Sequence, residues 1–196
     1  MARTKEFDPD AALQSALELF WRRGYEATSM ADLVEHLGIA RASLYATFGS
    51  KRELYLRALE RYGEQCGPTV VEELSQPGPV LPAVRALVMR FAEEASRDAL
   101  RRGCFVTNTA VELAAHDPEC ARRVEEAWRS LETALTSALI RARAQGEFAA
   151  DRDVADMTAL ARMLLVLLQG LRVVGKADPD PGRLRDAAEQ ALTLLG

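Results

Sequence analysis

The chain has 196 residues, 48% of them hydrophobic and 28% charged, with a formal net charge of −4. That suffices for one large or two small domains with a buried core, and the mixed charges are those of an ordinary soluble protein. No unbroken apolar run approaches the roughly 18–20 residues of a membrane span; the longest covers 163–168, and the charged N-terminus has no apolar signal region behind it, so the expectation is a cytoplasmic protein with no membrane partner.

Asp8 and Pro9 read as the N-cap and first position of a helix, with Leu13, Ala16, Leu17 and Phe20 at helical spacing before Gly24. Arg22 and Arg23 fall in its last turn, where the helix dipole favours cations. Ser29 and Asp32 form a capping box that opens a second helix, with Met30, Leu33, Val34 and Leu37 facing inward. Gly38 supplies a left-handed turn, Ile39 buries behind it, and a third helix covers about 41–47 until Gly49 stops it. Ser50 and Glu53 are a second capping box, opening a fourth helix expected to run to about Cys66, where Gly67-Pro68 interrupts or kinks it. Ser75-Gln76-Pro77-Gly78-Pro79 is the clearest linker. Beyond it, five more helices are expected at about 81–99, 104–115, 118–145, 153–174 and 181–195, with Asp117-Pro118 and Asp180-Pro181 as caps and Gly103, Gly146 and Gly175 as punctuation. The expected fold class is all-α with about nine helices. Residues 1–62 would form a helix-turn-helix domain, and 63–196 a larger helical domain.

The third helix is too short to be stable alone and must be held by its neighbours. Leu44 and Phe48, four apart, can face inward, which leaves Arg41, Ala42, Ser43, Tyr45, Ala46 and Thr47 around the outer surface. A short helix presented in this way fits the major groove of B-DNA. Arg41 can read guanine or pair with a phosphate, Ser43 and Thr47 can do either, and the Tyr45 hydroxyl suits a phosphate. Lys51 with the amides near Ser50, and Ser29 with the start of the second helix, make anion-binding helix starts. The bland alternative is a helical hairpin whose polar residues are merely solvated. Residues 1–62 hold nine Lys/Arg and nine Asp/Glu, while the remainder holds sixteen and twenty and carries the whole −4. A DNA-binding surface must therefore come from arrangement, not from an excess of positive charge.

Over the first 60 or so residues the chain resembles the TetR family of bacterial transcriptional regulators. The resemblance rests on Ala16 with Leu19-Phe20, Arg23-Gly24-Tyr25, Ala27-Thr28-Ser29, Leu33, Leu37-Gly38-Ile39, Leu44-Tyr45, Phe48, Gly49-Ser50-Lys51 and Leu54. It implies that Ser29, Tyr45, Thr47 and Lys51 fall where members touch phosphates, and that Arg41, Ala42, Ser43 and Ala46 fall where members face bases. Two departures stand out. Ala40 replaces the usual Ser or Thr before the third helix and removes a cap worth about 0.5–2 kcal/mol. Ala46-Thr47 replaces an aromatic-His pair, and Ala46 can do no more than touch a thymine methyl. The resemblance also implies a homodimer whose last two helices build a four-helix bundle with their partners, reading a near-palindromic operator in double-stranded DNA.

The residues of 157–174 agree with a shared seam, because that helix is apolar on more than one face. Leu164, Leu168 and Leu171, with Leu184, Ala188 and Leu192 of the last helix, are the expected dimer contacts, and Gly170 and Gly175 would allow close approach there. The alternative is the central helix of a monomeric bundle. For an unknown, largely apolar small-molecule effector, the pocket candidates are Met89, Phe91, Phe105, Asn108, Thr109, Trp128, Met163 and Gln169, led by Trp128 as a flat wall with one donor. Each serves equally well as core packing.

Cys66, Cys104 and Cys120 form neither a disulfide framework nor a zinc pattern and read as reduced packing residues, with a redox role as the alternative. His116, Asp117 and Cys120 lie close in sequence, but His116 precedes the helix cap and no second pair exists, so no metal is expected. No nucleotide loop, nucleophile motif or paired-carboxylate signature supports an enzyme, and no cofactor is expected. The reading is a homodimeric repressor released from its operator by a small ligand. The alternatives are a constitutive or partner-regulated DNA-binding factor and, further off, a helical enzyme or interaction protein.

Overall fold

The structure, a computed structural model, describes residues 7–149 and 152–195. Among them are nine α-helices: α1 (Pro9–Arg23), α2 (Met30–Leu37), α3 (Arg41–Phe48), α4 (Lys51–Ser75), α5 (Val80–Arg97), α6 (Phe105–Glu112), α7 (Pro118–Ala144), α8 (Val154–Ala177) and α9 (Pro181–Leu192), followed by a 3-10 turn, Thr193–Leu195. Asp8, Ser29, Ser50, Asp117, Asp153 and Asp180 each cap the following helix with a side-chain oxygen, and the boxes at Ser29 and Ser50 are both complete.

Three helices depart from expectation. α4 does not end near Cys66 but runs through Pro68 to Ser75. A proline inside a helix costs about 3 kcal/mol, and the far end of α4 is held from outside. Leu74 is buried there, Arg141 donates to its carbonyl at 2.5 Å, and Arg90 pairs with Glu73 at 2.8 Å. α6 stops at Glu112, where the Leu113 amide turns back to the Thr109 carbonyl. α8 continues past Gly175 to Ala177, and a side chain at Gly175 would put its Cβ 2.8 Å from the Ala95 carbonyl oxygen of α5. Gly175 thus serves a close helix crossing within the protomer, not a subunit seam.

Two cores result. The C-terminal core gathers α5, α7, α8 and α9 around Val84, Val88, Leu135, Leu139, Leu164 and Leu168. The N-terminal core packs α1 to α4 around Phe20, Leu33, Leu44 and Tyr55, and it also takes in Phe105, Val106, Leu113, Cys120 and Val124. α6 and the start of α7 therefore belong to the core of the helix-turn-helix half. Edge-to-face rings run from Tyr25 through Tyr55 and Phe105 to Tyr62 and Trp21. Buried aromatic pairs of this geometry add about 0.5–1.5 kcal/mol each beyond their area.

The six residues expected at a subunit seam, Leu164, Leu168, Leu171, Leu184, Ala188 and Leu192, are all buried inside the protomer. This corrects the expectation: they hold α8 and α9 onto α5 and α7. What α8 leaves outside is a different stripe, Ala155, Ala159, Arg162, Val166, Gly170, Val173 and Ala177, every one exposed and spaced by three or four. α8 is also long and apolar enough to cross a membrane, with 24 residues and a mean hydropathy of 1.6 in its best window. The run-based expectation missed this because Arg162, Gln169, Gly170 and Arg172 interrupt the runs without lowering the average enough. One face of it packs against α5, α7 and α9, while only 28% of that window is buried.

Candidate nucleic-acid interface

α2 and α3 are each eight residues long, so their position depends on what surrounds them. Ser29 Oγ accepts from the Asp32 amide at 3.1 Å, and Asp32 accepts from the Ser29 amide at 2.8 Å. The Ser29 hydroxyl, which donates to the Asp32 carboxylate, and then the Ser29 amide hold that carboxyl below its usual range, and Arg23, paired with it at 3.0 Å, adds to the effect. Gly38 then turns the chain with φ 64°, a left-handed conformation that costs glycine least. Ile39 buries behind the turn, and α3 starts at Arg41 with no side-chain cap, since Ala40 has nothing to offer.

Leu44 and Phe48 are buried and clamp α3 from inside, while Arg57 reaches back from α4 to the Thr47 carbonyl at 3.3 Å and lies over the Phe48 ring. Arg41, Ala42, Tyr45 and Ala46 are exposed, with Tyr45 at 42%. Ser43 and Thr47 are only half-buried, not fully on the outer surface as the spacing suggested. The Arg41 guanidinium sits 5.8 Å from the Tyr45 ring centre, so one exposed face carries a cation and a phenol side by side. Ser29 is exposed at the start of α2. Lys51 is half-buried, donating to the Tyr25 carbonyl at 3.0 Å with its ammonium 3.9 Å from the Tyr25 ring centre. Arg57 was missed by the sequence reading. Its place beside α3 depends on the angle between α3 and α4, which no local pattern encodes.

The reader is fastened to the rest of the chain through α6 and α7. The Glu112 carboxylate accepts from the Tyr25 amide at 3.0 Å and the Glu26 amide at 2.8 Å. Arg52 forms a two-pronged pair with Asp117 at 2.6 and 2.8 Å, and it holds the Asp117 carboxyl well below the usual carboxylate range. The Tyr55 hydroxyl meets Thr109 Oγ1 at 2.8 Å inside the core, and Trp21 donates to the Gly103 carbonyl at 3.0 Å. Burial drives the Tyr55 phenol well above its ordinary pKa, so it stays a neutral donor and acceptor.

The chain matches the family model for the N-terminal region of bacterial regulatory proteins of the tetR family over residues 12–58, and the tetracyclin repressor-like C-terminal domain over 80–191. It is 41% identical over 196 residues to the uncharacterized HTH-type transcriptional regulator YezE of Bacillus subtilis (strain 168), covering all of both chains. The chain belongs to the TetR family. It is also 32% identical to the HTH-type transcriptional repressor ComR of Escherichia coli (strain K12), over 98% of this chain and 90% of that one. Among solved structures it is similar to the TetR-family regulator CifR, a cysteine mutant complexed with 26-bp double-strand operator DNA. That match has a TM-score of 0.85 and 32% identity, covering 97% of this chain and 98% of CifR. The protein is accordingly a TetR-family helix-turn-helix transcriptional regulator, in a family of regulators and not of enzymes.

The expected effector residues are scattered in this TetR-family structure. Phe105 is buried in the N-terminal aromatic cluster, Asn108 donates to the Arg102 carbonyl at 2.8 Å, and Gln169 accepts from Thr107 at 2.6 Å. Phe91 and Thr109 are buried, and Met89 and Met163 pack at the edge of the C-terminal core. Trp128 lines an open groove, about 490 Å³ between α7 and α8, with Glu132, Thr136, Thr158 and Leu165. Its indole Nε1 is buried with no acceptor.

Proposed function

We propose that the protein is a homodimeric repressor that places α3 of each protomer in successive major grooves of a near-palindromic operator. The observation that carries this is the outward face of α3, Arg41, Ala42, Tyr45 and Ala46, propped from behind by buried Leu44 and Phe48. In this reading Arg41, Ala42, Ser43 and Ala46 meet bases, while Ser29, Tyr45, Thr47 and Lys51 meet phosphates. Lys51 keeps donors free after bonding the Tyr25 carbonyl, because an ammonium has three. The operator complex of CifR, at 32% identity, supports the placement.

The dimer is supported by α8. Only 28% of its most apolar window is buried in the protomer, and the exposed stripe through Val166, Gly170 and Val173 is apolar but for Arg162, which pairs with Glu132 at 2.9 Å. Two reading helices about one DNA turn apart, roughly 34–36 Å, follow from two-fold symmetry. Repression is supported by ComR, a named repressor. The effector is a small, largely apolar molecule with a hydrogen-bond acceptor, which the unpaired Trp128 Nε1 would take up. The protein works in the cytoplasm, where its operator is.

Selection of binding sites from random double-stranded DNA, followed by fluorescence anisotropy at several salt concentrations, tests the reading. A recovered inverted repeat, bound by two protomers with an affinity falling steeply as salt rises, is the expected result. Binding with no sequence preference, or none at all, refutes it.

A further inference from the structure

Arg102, in the loop between α5 and α6, is a half-buried arginine that spends none of its side-chain donors within the described residues. Its Nε is buried without an acceptor, and Asp98 Oδ1 stands 3.8 Å away, beyond hydrogen-bonding distance. The guanidinium lies flat against the reader instead, 4.2 Å from the Trp21 ring centre. A guanidinium offers five N–H donors in a fixed fork, and buried donors without partners are rare and costly.

The loop holds this residue in place. Asp98 Oδ2 accepts from the Arg102 and Gly103 amides at 2.6 and 2.8 Å. Arg101 stands at φ 50°, a left-handed conformation uncommon outside glycine. Gly103 follows at φ 65°, and a side chain there would meet the Arg172 carbonyl oxygen of α8 at 3.2 Å. The loop is thus built closely onto the end of α8.

Between the end of α5, this loop, the end of α8 and Trp21 of α1 lies a groove of about 560 Å³. Two further cations line it with incomplete partners. Arg172 is 20% exposed, rests 4.2 Å from the Phe91 ring centre, and reaches Glu94 only at 3.5 Å, while Glu94 pairs with Arg90 at 2.7 Å. Lys176 is exposed and makes no ion pair or hydrogen bond among the described residues. With Arg97 the groove holds four cations, against Glu93, Glu94 and Asp98, a balance of +1. Ala95, Ala99 and Leu100 supply apolar surface beside them, with Leu100 61% exposed.

We propose that this groove binds a small organic monocarboxylate, its carboxylate held by Arg102, Arg172 and Lys176 and its apolar body laid against Trp21 and Leu100. A carboxylate matches the arginine fork and satisfies its unspent donors. One negative charge meets the balance of +1, whereas a dianion would face three acidic side chains with no cation left over. The volume is that of an organic ligand, not of an inorganic ion. The site shares no lining residue with the Trp128 groove, and it does not depend on the operator reading.

Isothermal titration calorimetry of the full-length protein tests this, with benzoate and hexanoate as probes, benzamide as the neutral analogue and inorganic phosphate as the competing anion. The expected result is one carboxylate bound per protomer with a Kd below about 1 mM, weakened by added salt, and with benzamide and phosphate each at least about tenfold weaker. Arg102→Gln and Lys176→Gln should each lower benzoate affinity by about tenfold or more. Lys176 is exposed, so its replacement leaves the fold intact, and a melting curve checks Arg102→Gln. No saturable binding of either carboxylate overturns the site. Benzamide bound as tightly as benzoate shows that the cations do not hold the ligand, and phosphate bound as tightly shows a simple anion site; either result overturns the proposal. Benzoate affinity unchanged in both variants places the carboxylate elsewhere and overturns it as well.

Discussion

The two halves of the molecule hold their helices by different means. In the reader, α2 and α3 are eight residues each, and caps, a left-handed glycine and two buried side chains fix them. In the C-terminal half, α5, α7 and α8 run 18, 27 and 24 residues, and packing of long apolar stripes fixes them. Short capped helices place a few side chains with little freedom, which suits reading bases. Long helices can slide and tilt by small amounts without losing their core, which suits a part that changes state. α6 joins the two regimes: it is short, belongs to the reader's core, and starts beside α8 and α5.

Breaking the proposed subunit seam should have the largest effect. Val166 is 72% exposed and Val173 48%, on the outward stripe of α8. Val166→Glu would bury an unpaired charge between protomers, so the protein should become monomeric by analytical ultracentrifugation. Operator affinity should fall roughly 100-fold or more as the second half-site loses its tether. The monomer should keep its helical circular dichroism. A dimer that persists with native affinity would place the seam elsewhere.

Leu168→Ala sharpens the same comparison from inside. Leu168 is fully buried in the protomer, so its truncation should cost about 2–5 kcal/mol of folding stability in a denaturant titration. Were it a seam residue, dimer dissociation and not unfolding would change. Within the reader, Arg41→Ala and Tyr45→Ala should each weaken operator binding by about 1–3 kcal/mol. Arg41→Ala should relax sequence preference, whereas Tyr45→Ala should weaken all sequences alike. Neither should alter the melting temperature appreciably, since both side chains are exposed.

The reader was legible in the sequence for a physical reason. A short helix needs a Ser or Asp before it and a glycine after it, and Ser29, Asp32, Gly38, Gly49, Ser50 and Glu53 state those needs in order. The exposed stripe of α8, the proposed seam, was not legible. Leu164 and Val166 are equally apolar, and only the packing of α5 and α7 decides which faces inward. α4 misled because Pro68 is a local signal, overruled by Leu74 and Arg141 six or more residues away. The pocket was not legible either: Asn108 and Gln169 were sought as buried polar groups awaiting a ligand, and each has one hydrogen bond within the chain, to the Arg102 carbonyl and from the Thr107 hydroxyl.

The smallest expected effect concerns the one reader helix without a cap. Ala40 has an extended backbone at ψ 138° and is exposed, so a serine there fits without strain. Its oxygen would accept an amide of the first turn of α3, worth about 1 kcal/mol, or a rise of roughly 2–4 °C in melting temperature for a chain of this length. Ala40→Ser also restores a hydroxyl beside Arg41, where a phosphate would lie in the operator complex. If α3 is limited only by its helix start, stability and operator affinity should rise together, with the salt dependence unchanged. A gain in stability with no gain in affinity would mean that Leu44 and Phe48 already hold α3 in its reading position, so that the natural alanine costs the reader nothing in binding.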